Sequence, residues 1–132
     1  MPQLVRGGKW VFGWSVVRER GLLPIPLDAW HRYTFGPEKR AIFIRGSATS
    51  GGFAIAPASR WPAAFGPWQS SDRVLGVAEL AANGIVRIPE QLGLLAGERL
   101  LVVNGSGHAL GFITRGPIVE AARTHPELET FI

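Results

Sequence analysis

Arginine carries most of the charge of this chain. Twelve of its fourteen basic residues are Arg, set against ten acidic residues, for a net charge of +4 at pH 7. The guanidinium is a planar fork that meets phosphate or carboxylate oxygens two at a time. A basic balance is the footprint expected of a nucleic-acid binder, although a generally basic, solvated surface gives the same sum. Six positions are candidates for phosphate contact. Arg18 and Arg20 flank a polar turn that ends at Gly21, Arg32 lies on a predicted helix, and Arg87 sits within a short strand. Lys9 and Arg73 each open a strand. The plainer reading of all six is turn and rim charge in water. Phosphate contacts of this kind give affinity without sequence choice, and no side chain stands out as a reader of bases.

Other chemistry is poorly provided for. His31, His108 and His125 are far apart, with no carboxylate at metal-ligand spacing around them, and there is no Cys. No Gly-x-Ser-x-Gly elbow or Walker-type loop occurs. The Gly-rich stretch from Gly46 to Gly52 lacks the Lys and the strand-to-helix setting of a phosphate loop, and reads as a hairpin turn. Glu19, Glu79, Glu98 and Asp72 form no catalytic pair. The expectation is a protein that is not an enzyme and carries no cofactor or metal. The lack of Cys and of a signal-peptide pattern, and the absence of an apolar run near the roughly 20 residues that span a bilayer, lead to an expected cytoplasmic location without membrane contact.

Aromatic content points towards buried contacts. Charged residues make up only 18% of the chain, and there are five Trp. Such a surface suits association with a partner, most simply a second copy. Trp10 and Trp14 are expected in the core or a subunit interface. Trp61 and Trp68 are expected to cover the seam between the two repeated halves of the chain, the other reading being stacking on bases or a ligand.

The elements that would position these residues are mostly strands. Residues 10–17 alternate, with Trp10, Phe12, Trp14 and Val16 as one bulky face of a strand. A short strand follows over 22–26, then a helix over 27–34 ended by Gly36-Pro37. Residues 41–45 and 53–56 form a hairpin. The same order returns: strands at 74–80 and 85–88, one helical turn within 89–95, and a hairpin of 99–103 with 109–114 around Asn104-Gly105-Ser106-Gly107. A helix opened by Pro117 and an apolar tail that docks on the body complete the chain.

That return is visible residue by residue. Val11, Gly13, Gly21, Ile25 and Pro26 recur as Val74, Gly76, Gly84, Ile88 and Pro89 at an offset of 63; Gly46-Ser47 and Gly52-Phe53 recur as Gly105-Ser106 and Gly111-Phe112 at an offset of 59. Two offsets separated by one gap are what duplication and a later deletion leave. The chain divides into a first copy (1–57), a linker (58–71), a second copy (72–116) and a C-terminal helix and tail (117–132). Each copy is marginal in size, so the two are expected to form one compact body.

The second copy reads Gly84-Ile85-Val86-Arg87-Ile88-Pro89, then Leu92-Gly93, then Ala96-Gly97-Glu98-Arg99-Leu100. This resembles the AbrB/SpoVT/MazE family of swapped-hairpin barrels. The first copy is a more diverged version, with Gly21 to Pro26 and then Phe35-Gly36-Pro37-Glu38. The resemblance covers about 100 residues and implies a mostly β, tandem-duplicated AbrB-like barrel with short helices, laid out like the two-copy MraZ proteins. It also implies DNA binding and transcriptional regulation. The positions where DNA-binding relatives carry Arg after the turn Gly are here Leu22 and Ile85, and the Asp-x-x-x-Arg motif of MraZ-like copies is absent. The leading expectation is therefore a small DNA-binding regulator with phosphate contacts mainly from the first copy. The alternative is a protein-interaction or oligomerisation module, or an antitoxin, on the same barrel.

Overall fold

The computed structural model describes residues 1–81, 84–105 and 108–132. The turn residues Ala82-Asn83 and Ser106-Gly107 lie outside the described residues. Among the described residues nine strands and two short helices follow in order: β1 (Val11–Val16), β2 (Leu22–Pro24), α1 (Leu27–Arg32), β3 (Arg40–Arg45), β4 (Phe53–Pro57), β5 (Val74–Glu79), β6 (Ile85–Arg87), β7 (Arg99–Asn104), β8 (Leu110–Ile113), α2 (Pro117–Ala122) and β9 (Thr130–Phe131). The protein is mostly β, as expected. The stretch between β4 and β5 makes three single 3₁₀ turns, each entered from a proline: Pro57, Pro62 and Pro67.

Seven strands form one mixed sheet in the order β5-β3-β4-β8-β7-β1-β9, and β2 pairs with β6 as a separate two-stranded ribbon. The expected closed barrel is not formed. Among the described residues β2 and β6 join the larger sheet only through isolated contacts, the Arg18 N–H to the Leu22 carbonyl at 2.7 Å and a single bridge of Leu80 with Val86, and not as paired strands, while β9 takes the outer edge of β1 in parallel. The sheet ends at β5 on one side and β9 on the other.

The two halves interlace. β1 pairs with β7 of the other half, matching Val11 to Val103, Gly13 to Val102 and Val16 to Arg99. β5 pairs with β3, matching Val74 to Ile44, Gly76 to Phe43 and Glu79 to Arg40. Adding 63 to the first-strand numbers and subtracting 59 from the hairpin numbers turns one register into the other, including the irregularity before each glycine. Two further pairs map onto themselves: Leu23↔Val86 in the ribbon, and Phe53↔Phe112 at the join of the two hairpins. The two Phe rings stack with centroids 5.4 Å apart.

Both faces of the sheet are covered. On the inner face Phe43, Phe53, Ile55, Val102, Leu110 and Phe112 meet the ribbon and α1, which contribute Leu23, Val86, Ile88 and Trp30. The outer face carries two smaller clusters. α2 and Leu128 cover Val11, Trp14, Leu101 and Val103. The 3₁₀ turns cover Ile42, Ile44 and Ala56 with Trp61. Burying a side chain of this size fully contributes roughly 1.5–3 kcal/mol.

Strand β1 departs from the alternation expected of it. Trp10 is 46% exposed, whereas Val11, Trp14, Ser15 and Val17 are buried. The bulge at Phe12 moves the following residues by one position. Cover on both faces then buries odd and even residues alike. Among the described residues Ser15 is the one buried polar side chain of the core, and its hydroxyl donates to the Pro24 carbonyl. The C-terminal segment docks as expected through β9. Gly13 allows it: a Cβ there would lie 2.5 Å from the Glu129 carbonyl oxygen.

Candidate nucleic-acid interface

The six candidate cations fall into separate places. Arg20 and Arg87 meet at the β1–β2 turn, which Arg18 opens. Register sets Arg87 opposite Leu22, and its Nη1 donates to the Arg20 carbonyl at 2.8 Å. Arg18 Nη2 donates to the Ile132 main-chain oxygen at 2.5 Å. All three side chains are exposed, and a guanidinium with one N–H engaged keeps four donors. Arg20 holds φ at +66°, a conformation that a side chain adopts at a cost. Strain of this kind gathers at functional turns. Arg20 and Arg87 also line an open cleft of about 540 Å³ with Glu90 and Leu95.

Because Arg87 belongs to the second half yet sits beside the first half's turn, the charge is lopsided. The residue matching Arg18 at an offset of 63 is Ala81. Arg32 ends α1 and is exposed, apart from the turn group. Its charge acts on Tyr33, whose hydroxyl is pushed up from its ordinary value chiefly by burial, against the lowering effect of Arg32 and Arg60. That hydroxyl donates to Asn104 Oδ1 and so ties α1 to the second hairpin.

Lys9 and Arg73 meet in a second place. They line one cleft of about 180 Å³ on the outer face of the sheet, together with Arg45, Ser47 and His108. Sequence reasoning placed Lys9 and Arg73 at matching strand starts but missed Arg45. The available signal was its position as the last residue of β3, where Arg45 N–H bonds the Arg73 carbonyl at 2.9 Å.

The tryptophans take different roles. Trp14 is buried, with the Arg99 guanidinium 4.6 Å from its ring centroid. Trp61 is buried and its Nε1 donates to the Gly66 carbonyl at 2.7 Å. Trp68 is half-buried beneath Arg40. Trp61 and Trp68 pack on the outer face of the first hairpin, with Ala109 of the second hairpin in the same cluster. Trp10 is exposed. Of the histidines, His125 Nδ1 lies 2.6 Å from Glu127 Oε1. Among the described residues, no group of three or more metal-ligating side chains converges, and no helix is long and apolar enough to cross a membrane.

Comparisons of the chain with protein-family models, with curated proteins and with solved structures gave no match.

Proposed function

We propose that this chain is a small DNA-binding regulator of the AbrB/SpoVT type, a tandem duplication whose two copies are related by an approximate two-fold and whose phosphate contacts come mainly from the first copy's turn. The observation that carries the reading is the meeting of Arg20 and Arg87, 67 residues apart in the chain, at one exposed turn that Arg18 opens. The matched registers of β1–β7 and β5–β3 support the duplication. Contacts of this type position the protein on a duplex and leave sequence unread.

A double Arg18→Ala, Arg20→Ala variant tests it. Its affinity for unrelated duplexes falls uniformly, and the slope of log affinity against log salt flattens by about two. A slope equal to that of the parent chain removes the turn from the interface.

A second reading has its own observation. Leu27, Leu95 and Trp10 are 65%, 71% and 46% exposed. Apolar side chains at such exposure suit a protein partner or self-association, and in that case the fold serves as an interaction module without DNA.

A further inference from the structure

The outer-face cleft holds three cations and no anion. Lys9 enters from the segment before β1, Arg45 from the end of β3 and Arg73 from the segment before β5. Among the described residues none of the three has a carboxylate partner, and no acidic side chain lines the cleft. Two of them are already oriented. Arg73 lies 5.0 Å from the Phe65 ring centroid, and Arg45 Nη2 donates to the Asp72 carbonyl at 3.2 Å. Each keeps further N–H donors facing water. Three like charges gathered without a counter-charge repel one another and attract an anion.

The wall of the cleft is held in place. The tip of the β3–β4 hairpin is tied by the Thr114 and Arg115 N–H groups to the Ser50 carbonyl, at 3.0 and 3.1 Å. Arg115 Nη2 also holds the Ala48 carbonyl at 2.7 Å. Gly46 and Gly52 permit the close approach: a Cβ on Gly52 would lie 1.9 Å from the Phe112 carbonyl oxygen. Small residues, Ala54, Ala109 and Gly111, line the cleft beside Ile44 and Ile113 of the two outer-face clusters. At about 180 Å³ the space matches one tetrahedral oxyanion with part of its water shell, and is far smaller than a nucleoside site of several hundred Å³.

We propose that this cleft binds a single phosphate-class oxyanion through Lys9, Arg45 and Arg73. It lies on the face of the sheet opposite the ribbon, and so is separate from the Arg18/Arg20/Arg87 rim. His108 at its margin serves as a reporter. Its imidazole titrates below the ordinary value of 6.5, first because it is partly buried, then because Arg73 and Arg60 face it. The other charged groups lining the cleft are Lys9 and Arg45. An anion seated among them raises that titration again.

The test uses the full chain at low ionic strength in a phosphate-free buffer, titrated calorimetrically with inorganic phosphate, with pyrophosphate and with a short DNA duplex. Thermal unfolding is checked for each variant. R45Q/R73Q is expected to weaken binding of the oxyanion by at least about tenfold, since each loses charge-assisted hydrogen bonds. R18Q/R20Q leaves binding of free phosphate unchanged. K9Q, altered outside any strand, weakens it with the fold intact and is the second variant should R45Q/R73Q unfold. In the parent chain, phosphate moves the His108 ring signal in proton NMR. Loss of phosphate or pyrophosphate binding in the cleft variants assigns a free oxyanion. Loss of duplex binding alone assigns a backbone phosphate. Binding of every probe that is independent of Lys9, Arg45 and Arg73, or no binding of any probe, overturns the proposal; the turn variant reports on the DNA reading separately.

Discussion

Arg20 shows how much of the proposed interface rests on single residues. Its φ of +66° is a conformation that glycine adopts freely. Holding a side chain there costs roughly 1 kcal/mol net of glycine's own entropy. Arg20→Gly is therefore expected to leave stability unchanged or raise it by up to about 1 kcal/mol, measured by urea unfolding, while weakening DNA binding. A variant that both unfolds more easily and binds DNA as before would show that Arg20 serves the fold alone. At this scale the sequence was partly legible. Arg18 and Arg20 announced themselves through the polar turn. The meeting of Arg20 with Arg87 was not visible, because it depends on the register of β2 with β6, and three-residue strands carry little pattern from which to read a register. Trp10 misled for a different reason: the bulge at Phe12 lies between it and the residues whose face it seemed to share.

Elements were legible in kind and order more than in their partners. The hairpins, the helix after Pro26 and the Pro117 helix all form where turn residues and prolines place them. What the pattern hid was cover on both faces of the sheet. In β3 and β7, Ala41 to Ile44 and Leu100 to Val103 are buried without interruption, so the chain reads as an apolar run and not as an alternation. The pairing of β1 with β7 and β5 with β3 makes each half supply the edge that the other needs. A chain cut after Gly66 tests this directly. Each fragment alone is expected to lack cooperative unfolding, and mixing the two restores it, followed by near-ultraviolet circular dichroism of the buried Trp. Two fragments that each melt cooperatively as monomers would contradict the interlaced arrangement.

For the whole molecule, the open sheet changes what the proposed duplication means. A closed barrel was the natural expectation from two interlocked copies. Instead β9 extends the sheet beside β1, while the matching edge at β5 has Gln91 Nε2 donating to the Leu75 carbonyl. The halves agree in pairing and differ in what covers them, so they are free to differ in use. Charge follows that difference. The turn rim draws Arg18 and Arg20 from one half and Arg87 from the other, and the outer-face cleft draws Lys9 and Arg45 from one and Arg73 from the other. The proposed function is DNA binding through phosphate. Fluorescence anisotropy of mixed-sequence duplexes across a salt series tests it most directly. Tight binding at low salt that falls steeply is expected, with a log–log slope of about −3 for three phosphate contacts. No binding at the lowest salt, or binding indifferent to salt, would contradict it and leave the exposed apolar side chains as the basis of function.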